Sequence, residues 1–89
     1  MLTIRPTARF KKDLLKASRQ GRDIQKLQKI LEKLIIPEPL SVKHKDHKLK
    51  GEWRDFRECH IEPDWLLIYT ITDFELRPAR LGSHSELFD

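Results

Sequence analysis

The chain has a single cysteine, a single tyrosine, four phenylalanines and no long apolar run in its 89 residues. One cysteine excludes an internal disulfide framework and fits a reducing compartment. The longest apolar stretch is Trp65-Leu66-Leu67-Ile68-Tyr69, far short of the roughly 20 residues needed to span a membrane. The opening Met1-Leu2-Thr3-Ile4-Arg5-Pro6 lacks the apolar stretch of a secretory signal, so a cytoplasmic location is expected. The few aromatics do not interleave on a strand, which argues against a plain RNA-binding domain of the stacking kind. The length supports one domain over residues 1–89. It leaves no room for a nucleotide-binding fold with a second substrate domain.

Charge is plentiful and unevenly placed. The chain carries 18 Lys+Arg and 14 Asp+Glu, for a formal net charge of +4. Residues 1–54 hold 15 of the basic and 6 of the acidic residues, and residues 55–89 hold 3 and 8. One half is therefore suited to a polyanion. Solvated basic faces of amphipathic helices would give the same imbalance.

Leu2-Thr3-Ile4-Arg5 alternates and stops at Pro6, which predicts a short strand. Thr7 can cap a helix carrying Phe10, Leu14 and Ala17 on one face, with Gly21 as its stop. Asp23 can cap a second helix with the stripe Ile24, Leu27, Ile30, Leu31, Leu34 and Ile35, ended by Pro37. The short turn between them predicts a two-helix hairpin. Residues 37–51 read as a loop. Trp53–Ile61 reads as a strand, Glu62-Pro63-Asp64 as a turn, and Trp65–Ile71 as a buried central strand. Leu76–Leu81 is the next strand, edged or bulged at Pro78. Ser83 can cap a short C-terminal helical turn. The order βααβββ predicts an α+β domain, with the helix hairpin packed on a small, mostly antiparallel sheet.

Alternation along Trp53–Ile61 places Arg54, Phe56, Glu58 and His60 on one face, and Trp53, Asp55, Arg57, Cys59 and Ile61 on the other. Glu58 and His60 then lie roughly 7 Å apart along the strand, and a carboxylate can orient an imidazole. A solvated face with a weak pair is the plainer alternative. His47 lies in a basic loop, Asp64 in the turn after the His60 strand, and His84 beyond the last strand. Together they offer base and acid for metal-free RNA cleavage, with Arg80 or nearby lysines as the cation. A metal site is the competing use of His44, His47, Cys59 and His60. It lacks the tight Cys/His spacing of structural zinc sites, and adjacent Cys59 and His60 face opposite ways. The alternation buries Cys59 with Ile61, away from any nucleophilic role.

Residues Lys45 to Tyr69, with Asp46-His47-Lys48-Leu49-Lys50-Gly51-Glu52-Trp53 and Arg57-Glu58-Cys59-His60-Ile61-Glu62-Pro63-Asp64, closely resemble the YafQ branch of the RelE-like toxins. Arg80-Leu81-Gly82-Ser83-His84 and the closing Leu87-Phe88 match the same branch. The resemblance implies a RelE-like fold and a bacterial type II toxin. Such toxins are endoribonucleases that cut mRNA, typically in the ribosomal A site, without a cofactor. A cognate antitoxin neutralises them, and the complex binds operator DNA. The family's active-site residues fall on His47, Glu58, His60, Asp64, His84 and Phe88, with Arg80 as phosphate contact. Lys43, Lys45, Lys48, Lys50 and Arg54 would hold the RNA backbone. Glu58 stands where some relatives carry Asp, and Pro78 departs from an ordinary strand residue. The alternative is a degenerate toxin that binds antitoxin and operator DNA without cutting.

Overall fold

A computed structural model describes residues 1–36 and 38–88. Its elements in chain order are β1 (Thr3–Ile4), α1 (Ala8–Arg19), α2 (Ile24–Leu34), β2 (His47–Lys48), β3 (Arg57–Glu62), β4 (Trp65–Ile71), β5 (Glu75–Gly82) and α3 (His84–Phe88). The sheet order is β1-β5-β4-β3-β2. Among the described residues only the β1–β5 pair is parallel, and β3, β4 and β5 form a meander. This is the expected α+β order with one short strand added. The stop expected at Pro37 lies outside the described residues.

Both helices begin at the expected caps. The Thr7 hydroxyl accepts the Phe10 N–H at 3.0 Å, and the Asp23 carboxylate accepts the Gln25 N–H at 3.1 Å. Each satisfies one of the N–H groups that a helix start leaves unpaired. Gly21, with φ 76°, takes the left-handed conformation that follows α1. Phe10 and Ala17 of α1 and Leu27, Ile30 and Leu34 of α2 are buried against Cys59, Ile61, Trp65, Leu67, Tyr69, Leu76 and Leu81. The opposite sheet face buries Leu66, Ile68 and Ala79 with Leu87 of α3, joined by Leu49, Trp53 and Phe56. Strand β4 feeds both clusters, which explains its unbroken apolar sequence. Leu67 and Ile68 are both fully buried on opposite faces, each contributing roughly 1.5–3 kcal/mol of burial.

Two segments depart from the sequence expectation. The strand expected from Trp53 begins only at Arg57, because Gly51–Trp53 forms a 3-10 turn. Gly51 has φ 66°, and the Trp53 and Arg54 N–H groups bond back to Lys50 and Gly51. The alternation therefore does not extend to Trp53. Its ring packs edge-on against Phe56 at 5.2 Å, on the face that carries Glu58, not with Cys59. The segment expected as a loop holds a 3-10 turn at Val42–His44 and strand β2, which pairs His47 with Glu58 and Lys48 with Arg57.

Pro78 marks a bulge, as its missing N–H suggested. Tyr69 faces Pro78 and Ile68 faces Arg80, so Ala79 is extra. Beyond the two residues of β1, α1 takes over the outer edge of β5. The Thr7 N–H bonds the Pro78 carbonyl at 3.0 Å, the Thr7 hydroxyl donates to the Ala79 carbonyl at 2.8 Å, and the Leu81 N–H bonds Asp13 Oδ2 at 3.0 Å. Among the described residues, no helix is long and apolar enough to cross a membrane.

Candidate active site

The β2–β3 register sets His47 directly opposite Glu58, and the two-residue period of β3 puts His60 on the same face. Glu58 is only 5% exposed. Its Oε1 lies 3.7 Å from His47 Nε2 and 3.6 Å from His60 Nε2. A buried carboxylate needs partners to offset its lost hydration, and the two imidazole edges can pair with it when their Nε2 atoms are protonated. The solvated-face alternative therefore does not describe Glu58.

Each imidazole is fixed from behind. His47 Nδ1 bonds the Lys45 carbonyl at 2.6 Å, and His60 Nδ1 bonds the Pro63 carbonyl at 3.1 Å. A carbonyl only accepts, so Nδ1 carries the hydrogen in both rings, an assignment inferred from the partners. Nε2 is then the atom that gains or loses a proton, and in both rings it faces Glu58. Lys45 is left-handed, with φ 46°, which turns the chain so that its carbonyl meets the His47 ring.

Other residues hold this trio, and local sequence patterns did not reveal them. Asp46, beside His47, accepts the Tyr69 hydroxyl at 2.7 Å and Arg57 Nε at 3.3 Å on the same Oδ1. Burial and then the Asp46 carboxylate push the Tyr69 phenol well above its ordinary range, so it remains a donor. His44 donates from Nδ1 to the His60 carbonyl at 2.7 Å. The His44–His47 pair is thus divided between two backbone carbonyls. Cys59 is fully buried on the helix side, where burial, followed by the Asp46 and Glu58 charges, pushes its thiol up.

Among the described residues, no hydrogen bond or ion pair joins Asp64 to the His60 ring. Its Oδ1 accepts the His84 backbone N–H at 3.0 Å, so it anchors the start of α3. Ser83 and Glu86 close a reciprocal cap there: Ser83 N–H to Glu86 Oε1 at 2.8 Å, and Glu86 N–H to Ser83 Oγ at 3.2 Å. The Ser83 cap expected from sequence is thus present. The exposed His84 ring lies 5.0 Å from the Phe88 ring, and Phe88 is 37% exposed. Phe88 is therefore no core plug. Among the described residues, no hydrogen bond or ion pair joins the His84 ring to the Glu58 trio. The turn before β4 nevertheless serves both histidines, through the Pro63 carbonyl and the Asp64 carboxylate.

Arg80 is half-buried and paired with Asp13, by Nε at 2.8 Å and Nη2 at 3.5 Å. Lys43, Lys45, Lys48, Lys50 and Arg54 are all exposed, and none has an ion-pair partner among the described residues. Lys43 and Lys45 line a groove that runs from His60 toward Lys29 and Lys33 of α2. No group of three or more His, Cys, Asp or Glu among the described residues is arranged to hold a metal ion.

Residues 2–89 match the family model of the bacterial toxin of type II toxin–antitoxin systems, YafQ. This places the chain among type II toxins. Within that class it belongs to the YafQ family. The mRNA interferase toxin YafQ of Escherichia coli K12 is 41% identical over 83 residues, covering 92% of this chain and 90% of that protein. A metal-bound toxin from Helicobacter pylori is 49% identical, with TM-score 0.93 over 99% of this chain and all of that one. YafQ in the E. coli DinJ–YafQ toxin–antitoxin complex is 39% identical, with TM-score 0.91 over 99% of this chain and 98% of that one.

Proposed function

We propose that the chain is a metal-independent endoribonuclease that cleaves mRNA in the ribosomal A site and is neutralised by a cognate antitoxin. The observation that supports this most is the trio at Glu58: two imidazoles with Nδ1 fixed and Nε2 free to exchange a proton. The relatives named as mRNA interferase toxins and the relative crystallised with an antitoxin point the same way.

In the reaction, a base removes the 2′-OH proton and the 2′-oxygen attacks the adjacent phosphorus in line. The bond to the 5′-oxygen breaks as an acid protonates it. The products are a 2′,3′-cyclic phosphate and a 5′-OH end. His84 and His60 divide the acid and base roles, with His47 sharing the Glu58 edge as a third proton carrier or phosphate contact. Glu58 stabilises the imidazolium that forms at either neighbour. Asp64 acts through His84 by holding its helix. The Arg80 guanidinium offsets charge building on the phosphate oxygens. Phe88 supplies a ring face for a base. Lys43, Lys45, Lys48, Lys50 and Arg54 hold the backbone without reading sequence. The same basic surface suits operator DNA when antitoxin is bound.

His84→Ala is the direct test. Cleavage of a synthetic mRNA in a translation extract should fall about 10²–10⁴-fold, the usual range for an acid–base group, with melting temperature and antitoxin binding retained. Wild-type cleavage by this variant would overturn the assignment. Dialysis against EDTA should leave cleavage unchanged, and a strict metal requirement would reject the metal-free mechanism. Unimpaired growth on induction without an antitoxin would favour the non-cutting alternative, whereas growth arrest that an antitoxin reverses supports the toxin.

A further inference from the structure

We infer that Asp13, on α1, is a positioning residue for RNA cleavage, because it sets the orientation in which Arg80 meets the scissile phosphate. The inference rests on the reading of Arg80 as the phosphate contact.

The Asp13 side chain is 11% exposed, and that of Arg80 is 15% exposed. Asp13 Oδ2 accepts Arg80 Nε at 2.8 Å and the Leu81 backbone N–H at 3.0 Å, while Oδ1 accepts Nη2 at 3.5 Å. One carboxylate thus holds both the side chain of residue 80 and the backbone that follows it. Arg9 Nε stands 3.9 Å from Oδ1 on the outer side and is mostly exposed. The backbone at Arg80 is itself unusual. The extra residue at Ala79 resets the register so that Arg80 faces Ile68, the residue paired with Glu58 on the next strand. Arg80 therefore lies two strands from Glu58, in the same cross-strand row.

A guanidinium has two usable edges. Asp13 takes the edge formed by Nε and one terminal nitrogen. The edge formed by the two terminal nitrogens has no partner among the described residues, and it has the spacing to bind two phosphate oxygens. A long side chain tethered at one edge loses less rotamer freedom when it binds at the other. Asp13 also opposes phosphate binding, because its charge partly neutralises Arg80. Its loss should therefore slow the chemical step, which depends on alignment, without weakening substrate affinity.

The test compares Asp13→Asn, Arg80→Ala and the double variant for mRNA cleavage under saturating and subsaturating conditions. An Asn carbonyl at the Oδ2 position still accepts the Leu81 N–H and the Arg80 Nε–H, so Asp13→Asn retains the backbone contact and removes the charge and the Nη2 acceptor that fix the guanidinium plane. Melting temperature and antitoxin binding check the fold. We expect Asp13→Asn to lower kcat about tenfold or more with KM unchanged or lower. We also expect the double variant to cleave no more slowly than Arg80→Ala alone, because Asp13 acts only through Arg80. Asp13→Glu, which restores the charge, should recover part of kcat. Wild-type kcat in Asp13→Asn, or an undiminished Asp13 penalty in the Arg80→Ala background, would overturn the inference while leaving Arg80 as the phosphate contact. Wild-type cleavage by Arg80→Ala would overturn that assignment and the inference with it. If Asp13→Asn fails to fold, Asp13→Glu alone decides: kcat equal to wild type with Nε detached, seen by NMR of the Arg80 Nε–H, rejects the inference.

Discussion

The Asp64 carboxylate accepts the backbone N–H of His84 at 3.0 Å, so the turn between β3 and β4 carries the first residue of the C-terminal helix. The Pro63 carbonyl of the same turn holds the His60 ring. The two histidines proposed for acid and base are thus positioned from one short turn and not by each other.

Asp64→Ala should therefore disturb His84 more than it disturbs the fold. Loss of such a helix-start acceptor costs about 1 kcal/mol. The expected outcome is a small drop in melting temperature with a cleavage loss on the order of tenfold or more. Asp64→Asn, which retains an acceptor, should recover most activity. Equal losses in both variants would point to a role for the Asp64 charge itself.

Glu58→Gln removes the charge between His47 and His60 while preserving volume. Cleavage should fall and its pH profile should change, because the carboxylate no longer supports either imidazolium. Measuring kcat against pH for wild type and variant checks this. Superimposable profiles would remove Glu58 from the mechanism.

Tyr69→Phe deletes the hydroxyl that binds Asp46. A hydrogen bond to a charged group is worth about 1.5–3 kcal/mol, and the partial exposure of Asp46 places this one near the lower end. A melting-temperature drop of about 5–10 °C is expected for a domain of this size. Cleavage at low temperature should also fall, because Asp46 precedes His47. Unchanged thermal melting would show that Arg57 alone secures Asp46.

Glu86 gives a pH dependence with a defined sign. Lys16, then the Ser83 N–H, holds its carboxyl down to about 2, against an ordinary value of 4.5. A carboxyl lowered on folding stabilises the native state fully above about pH 4.5, and that contribution disappears as pH falls toward 2. The stability difference between wild type and Glu86→Gln should follow this course in denaturant titrations. A difference that grows on acidification would contradict the Lys16–Glu86–Ser83 contact.

Much of this architecture was legible because it is local. Thr7, Asp23 and Ser83 each announce a helix start by residue type and position. The β4 run announces a strand covered on both faces, and the two-residue period alone aligns Glu58 with His60. The sequence reading missed what is decided across the fold. Strand β2 is two residues long and carries no pattern of its own. The Gly51–Trp53 turn broke the alternation that had placed Trp53 with Cys59. Asp13 and Arg80 are 67 residues apart, one on a helix and the other on a strand, so nothing local paired them. Tyr69 read as core because it is core, and only its hydroxyl reaches Asp46. Asp64 was expected in the site from the sequence, but its contact with the His84 backbone depends on where α3 docks.

The takeover of the β5 edge by α1 has a consequence for the free toxin. Sheet margins with unpaired amides invite other chains to zip onto them. Here the margins are two-residue strands, and the exposed stretch of β5 is already occupied by Thr7 and Asp13. The free molecule therefore offers little template for intermolecular strand pairing.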